Sequence, residues 1–273
     1  MSDLVGSPSH ERTLGPTAPE GRAALVIAHP GHELLVHGWL ELAHPTVFVL
    51  TDGSGRTGRS RLDATTRVLD QTGAHRSPIY GSFTDRAGYS AILDHRFGFF
   101  VSLAEALAGA LVAQRIDYVV GDAEEGYNPM HDVCRLVINA AVRAAHRAGG
   151  RRVANLDLPI VGGTEENGDG SSTGPLRVEL TEDAFARKLA AARGYLALTD
   201  EVESALRGRL LSAFRVESFR AVDSHRHDSP CGTEPRFYER YGEKQVAAGH
   251  YARVLRYGEH IVPLSNALLD YAP

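Results

Sequence analysis

Residues 22–33 read RAALVIAHPGHE, and this stretch decides the fold. Arg22–Ala28 (RAALVIA) reads as a continuous apolar run, without the polar alternation of a strand that shows one face to water. Such a run suits a parallel strand covered on both faces. It stops at His29-Pro30-Gly31, where Pro30 fixes φ and Gly31 admits dihedrals closed to other residues. An amphipathic helix is predicted from about His32 to Ala43, with Pro45 ending it. Strand, tight turn and helix make the opening unit of an α/β sheet.

The same alternation continues downstream. Thr46–Leu50 (TVFVL) is a second strand, followed by the glycine-rich loop TDGSGRTGR (51–59) and a helix from about Arg61 to Thr72. Phe99–Gln114 is a strongly apolar helix and Ile116–Val120 a strand. The loop GDAEEGYNPMH (121–131) leads into a helix from Asp132 to about Ala148. Val153–Val161 holds one or two short strands, and residues 162–174 read as a surface loop. Thr181 is placed as an N-cap, with Glu182 and Asp183 in the first turn where free amides and the helix dipole favour them. Helices over about 182–196 and 199–212 follow, and no internal repeat is present. This order predicts an α/β, Rossmann-like, mostly parallel sheet with helices on both faces. Sheets of that kind bind ligands beyond the C-terminal ends of their strands. His29, Asp52 and Asp122 each follow a predicted strand, so they are expected on one edge.

The composition is that of an ordinary globular chain. Its 273 residues suffice for one large core, with 43% hydrophobic and 23% charged residues. A formal charge of −5 gives no basis for a nucleic-acid or anionic-membrane partner. No apolar run approaches the roughly 20 residues of a transmembrane helix. Met1 to Gly21 is rich in Ser, Pro, Gly and Glu and has no apolar signal-peptide core. It reads as a disordered tail, with residues 22–273 as a single domain. Cys134 and Cys231 form no disulfide framework, so a cytoplasmic protein is expected. The expected partner is a small-molecule substrate, and self-association is left open.

The 13 histidines concentrate meaning where they cluster. His29 and His32 flank the Pro-Gly turn, and His131 ends another strand-to-helix loop on the same edge. Three neutral imidazoles with open positions suit Zn²⁺, as in hydrolytic sites, or Fe(II). A lone histidine is usually only half-buried packing, but an H-x-x-H at a strand end with a third histidine at an equivalent loop favours ligation.

LVIAHPGHELL (25–35) resembles the first motif, Ala-His-Pro-Asp-Asp-Glu, of the PIG-L-type N-acetylglucosaminyl deacetylase family. YNPMHD (127–132) is similar to that family's His-Pro-Asp-His motif. VLTDGSG, RLDATTRVLDQTGA and FARKLAAARGYLAL resemble its second strand and loop, the helix after it, and a late lysine-led helix. The resemblance spans about residues 22 to 200 in the family order. It implies a metal site of His29, His32 and His131, with His32 standing where the family has a ligating aspartate. It implies Tyr127 and Asn128 near the reacting carbonyl and Arg61 against the substrate. The family's general base, however, corresponds to Gly31, which has no side chain.

That departure leaves the reaction open. Base catalysis typically contributes about 10²–10⁴-fold in a metal-water hydrolysis. Glu33 is the nearest replacement; orienting a ligand imidazole is its other reading. Asp52, Asp122, Glu124 and Glu125 are further acids at the same edge. Asn128 can donate a hydrogen bond to an oxyanion. The expectation is a metal-dependent hydrolase of deacetylase or amidase type acting on a small polar N-acyl, sugar-like substrate. The alternatives are an Fe(II)-dependent oxygenase or lyase on the same fold, or an inactive metal-binding relative.

The C-terminal segment, about 223–273, is dense in His, Tyr, Arg and Glu and reads as a lid or an interface. His225, His227 and Cys231 have the residue types of a second metal site but lack its paired spacing. A helix is predicted over Tyr241–Leu255, with His250 and Arg236 as candidate substrate contacts.

Overall fold

A computed structural model describes residues 21–55, 57–160, 176–200, 202–203, 214–224 and 235–272. The predicted tail (1–21), the loop 162–174, the bulk of the helix expected at 199–212, and His225, His227 and Cys231 fall essentially outside the described residues.

The first strand, β1 (Ala23–Ile27), is buried at every position. It pairs in parallel with β2 (Thr46–Thr51) on one side and β4 (Tyr118–Asp122) on the other. Four further strands are β3 (His75–Phe83), β5 (Ala154–Leu158), β6 (Leu176–Glu179) and β7 (Val216–Ala221). Together they make a seven-stranded sheet in the order β3-β2-β1-β4-β5-β7-β6. Strands β1 to β5 pair with one another in parallel; β7 is antiparallel to both β5 and β6. The α/β, Rossmann-like reading is therefore correct, with an antiparallel edge added.

Alternation along β1 explains its composition. Ala24, Val26 and Ala28 join Phe48 and Leu50 in a core under α4 (Phe97–Ala113), α5 (Pro129–Gly149) and α8 (Val262–Tyr271). Ala23, Leu25 and Ile27 join Val47, Val49 and Trp39 under α1 (His37–Ala43), α2 (Leu62–Thr72) and α6 (Glu182–Arg193). Both faces are dry, so neither can carry polar side chains. Among the described residues, no helix is long and apolar enough to cross a membrane.

Several boundaries differ from the expectation. The helix predicted from His32 is two pieces, a 3₁₀ turn over His32–Val36 and then α1. The break is held by a buried ion pair. Glu217 of β7 accepts the Gly38 and Trp39 amides at 3.0 and 2.7 Å, and Lys188 of α6 donates to Glu217 at 2.8 Å and to the Leu35 carbonyl at 2.7 Å. β4 starts two residues later than predicted and ends on Asp122. β3 and α3 (Asp85–Leu93) were not expected, because Pro78 and Gly81 interrupt the strand pattern. The helix expected at Tyr241–Leu255 is α7, Phe237–Ala247, capped at Arg236 by the returning Glu239 carboxylate. Thr181 is the predicted N-cap, accepting the Ala184 amide.

Candidate metal centre

β1 and β4 are neighbours, and the chain leaves β1 toward β2 on one side and β4 toward β5 on the other. This is a topological switch point, where loops diverge and leave a crevice. His29 and His32 come from the loop after β1. His131 comes from the first turn of α5, after β4. Their rings meet edge to face, with centres 5.6 Å (His29–His32), 5.2 Å (His29–His131) and 4.6 Å (His32–His131) apart. Imidazoles sharing one tetrahedral ion at about 2.0–2.1 Å per bond would have ring centres about 5 Å apart.

Each of the first two imidazoles is backed by a carboxylate. His29 Nδ1–H donates to Asp85 Oδ1 at 2.9 Å and lies 3.0 Å from Thr51 Oγ1. His32 Nδ1–H donates to Asp122 Oδ1 at 2.9 Å, and Asp122 also accepts the Ala28 amide at 2.8 Å. A proton on Nδ1 leaves the Nε2 lone pair for another partner. His29 Nε2 is buried and has no hydrogen-bond partner, and neither has His131 Nδ1. Buried polar atoms are normally satisfied, so such orphans point to an ion or water.

The electrostatics agree. Burial lowers the His29 pKa, and burial with the adjacent His32 holds His131 well below the ordinary imidazole value. Burial alone would raise Asp85, but the hydrogen bond and charge of His29, with bonds from Thr51 and the Gly55 amide, hold it below the usual carboxylate range. Asp122 is likewise lowered, the charge and hydrogen bond of His32 outweighing burial. Burial thus disfavours charge on His29 and His131 while the adjoining carboxylates of Asp85 and Asp122 are held low, a charge pattern that a dication would balance.

Among the described residues, the trio whose ligand atoms all lie within 4.8 Å of one another is a different one, His95, Glu259 and His260. In that trio His260 Nδ1 faces its own backbone, 3.0 Å from the Arg256 amide and 3.1 Å from the Arg256 carbonyl, and the other two members are exposed. His29 and His32 instead set Nδ1 against buried carboxylates, which leaves Nε2 as the free nitrogen of each ring.

The other expected residues fall into two groups. Asn128, the N-cap of α5, accepts the Met130 amide at 2.8 Å and the Tyr89 hydroxyl at 3.0 Å through Oδ1, leaving its NH₂ as the donating group. Tyr127 is 43% exposed and stacks on Phe237, ring centres 4.7 Å apart. Both stand in the loop that carries His131. Asp52 and Arg61 instead organise the glycine-rich loop. Asp52 Oδ1 accepts the Ser54 amide at 3.0 Å, and Arg61 Nε donates to the Gly53 carbonyl at 2.6 Å. Gly53, at φ 66°, packs so that a Cβ would meet Pro30 Cδ at 2.8 Å, which seats this loop on the histidine turn. His250 is exposed in the turn after α7, its amide bonded to the Gln245 carbonyl. Arg236 lies over the Tyr257 ring at 4.2 Å.

Glu33 is fully buried, and its Oε2 accepts the Gly31 amide at 2.7 Å. Burial raises its pKa. The carboxylate thus braces the turn between the two histidines. Gly31 itself has φ 114°, and a Cβ there would overlap Leu198 Cδ1. Restoring an acid by Gly31→Asp is therefore expected to destabilise the fold by about 1–3 kcal/mol through backbone strain, with more from the clash. Urea unfolding of Gly31→Asp beside wild type measures this; equal midpoints would show that the turn tolerates a side chain.

Asp85 had no sequence signal pointing to the site. It follows a strand that the pattern hides, and only the capping threonine Thr84, which accepts the Ala87 amide at 3.1 Å, marked a helix start there.

No family model matches the sequence, and no curated protein matches it. Among solved structures, the crystal structure of a conserved protein from Thermus thermophilus is similar over 78% of this chain and 99% of its own. The identity is 17% and the TM-score 0.49.

Proposed function

We propose that this protein is a divalent-metal-dependent enzyme of the hydrolase type, related to the PIG-L-type deacetylases and acting on a small polar N-acyl, sugar-like substrate. The observation that carries this reading is the meeting of His29, His32 and His131, two of them with carboxylates behind Nδ1 and His29 Nε2 buried without a partner. Those three residues would hold the metal, zinc for preference. A bound zinc supplies Lewis acidity toward a carbonyl and lowers the pKa of water. In this reading Asn128 would donate its free NH₂ to a developing oxyanion, and Tyr127 in the same loop would contact the substrate. The protein is proposed to work in the cytoplasm, with the small molecule as its partner.

A second reading has its own support. Gly31 offers no base, and Glu33 is committed to the Gly31 amide. A three-imidazole site without a base suits Fe(II) chemistry, an oxygenase or lyase, which needs none.

Metal analysis of the purified protein, followed by amine release from N-acetylglucosaminides and by oxygen uptake with Fe(II), separates the two. Zinc with amine release is the expected result, and Glu33→Gln should keep the metal while lowering turnover about 10²–10⁴-fold if Glu33 moves protons. Undiminished turnover in Glu33→Gln would leave that residue as a brace only. Iron with substrate-dependent oxygen uptake would replace the hydrolytic reading.

A further inference from the structure

Asp85 is 4% exposed and reaches the metal centre from the start of α3, 56 residues beyond His29. It is held from several sides. Oδ1 takes the His29 Nδ1–H at 2.9 Å, Oδ2 takes the Gly55 amide at 2.5 Å, and the Asp85 amide itself donates to Asp52 Oδ1 at 3.3 Å. Thr51 Oγ1 stands 3.0 Å from the same His29 nitrogen. Neither oxygen of Asp85 is spent on a lysine or arginine in these bonds. The carboxylate therefore connects the glycine-rich loop to one imidazole through Nδ1, while Nε2 of that ring is buried without a partner.

We propose that Asp85 is a positioning residue of the metal centre: it fixes the tautomer and orientation of His29, so that the buried, unpartnered Nε2 is kept as the ligating atom. This rests on the reading of the three histidines as metal ligands. A carboxylate behind a ligand imidazole raises its basicity and restrains its rotation, and loss of such a partner typically costs about 10–100-fold in metal affinity. Asp122 holds the equivalent place behind His32, but it belongs to β4 and accepts a β1-edge amide, so its removal would disturb the sheet as well. Asp85 is the cleaner residue to test.

Cobalt(II) titration of the full chain, followed by its visible absorption bands, provides the measurement, with nitrogen chemical shifts of the His29 ring in the metal-free protein as a second readout. Wild type is expected to bind one equivalent and to show His29 with its proton on Nδ1. Asp85→Asn should bind cobalt about 10–100-fold more weakly with altered bands, and Asp85→Ala should populate both His29 tautomers. Asp94→Asn, at an exposed pair with Arg253, should match wild type. Unchanged affinity, bands and tautomer in a folded Asp85→Asn would overturn the inference while leaving the metal centre standing. Absence of cobalt binding by wild type would instead overturn the metal centre. Should Asp85→Asn fail to fold, Thr51→Val decides: removing the hydroxyl beside Asp85 is expected to weaken cobalt binding, and equal binding rejects the role.

Discussion

If the proposed metal centre holds zinc, zinc is expected to stabilise the wild-type protein against heat and His131→Ala to abolish that stabilisation. At free zinc about 100-fold above its dissociation constant, the native state gains about 2.7 kcal/mol, which for a chain of this size raises Tm by about 5–10 °C. The gain depends on all three imidazoles, because two ligands from one turn cannot close a tetrahedral set. His131 is the member contributed by the other side of the crevice, and its ring centre lies nearest that of His32. A chelator should return wild type to the Tm of His131→Ala, and His146→Ala, at the far end of α5, should retain the whole zinc-dependent rise. Scanning calorimetry with and without zinc reads all three. A zinc-dependent rise in His131→Ala equal to that of wild type would remove this residue from the site.

Glu217→Ala should be the more damaging change to the fold itself, by about 3–5 kcal/mol. Its carboxylate is buried beside Lys188 and serves two amides at the start of α1, where Val36 provides no side-chain cap. Truncation leaves an ammonium group without its counter-charge and the Gly38 and Trp39 amides without an acceptor. The double variant Lys188→Met, Glu217→Gln should recover part of the loss, since methionine carries no charge and glutamine can still accept an amide. Chemical denaturation of the single and double variants gives the comparison. A Glu217→Ala protein within about 1 kcal/mol of wild type would mean that water reaches this pair and replaces its bonds.

How far the chain could be read in advance follows the same physics. β1 was readable because a strand buried on both faces must be apolar throughout, and its exit was readable because Pro30-Gly31 cannot continue it. The meeting of His29, His32 and His131 followed from placing two loops on one edge. β3 was hidden because an edge strand that is exposed or half-buried at all but one position, with Pro78 and Gly81 inside it, lacks both the alternation and the apolar run. Asp85 was hidden with it, since a residue supplied by an unseen strand-to-helix junction has no place in a local motif. The split between the 3₁₀ turn and α1 was also out of reach. Its cause is Glu217, 179 residues away from Gly38, and periodicity reports only neighbours along one helix. The antiparallel pair β6 and β7 is set by pairing partners that short, mixed strands do not announce.

The distribution of the proposed ligand set along the chain has a kinetic consequence. His32 and Asp122 are 90 residues apart, so the half-site on the first turn is synthesised long before its complement. Closing so large a loop is entropically slow, and the crevice is completed only when β4 docks beside β1. On the proposed metal-centre reading, metal capture would be a late event in the maturation of this chain. Nascent chains that end before α5 would carry an H-x-x-H pair able to hold metal only weakly, and tight uptake would report that the central strands have assembled.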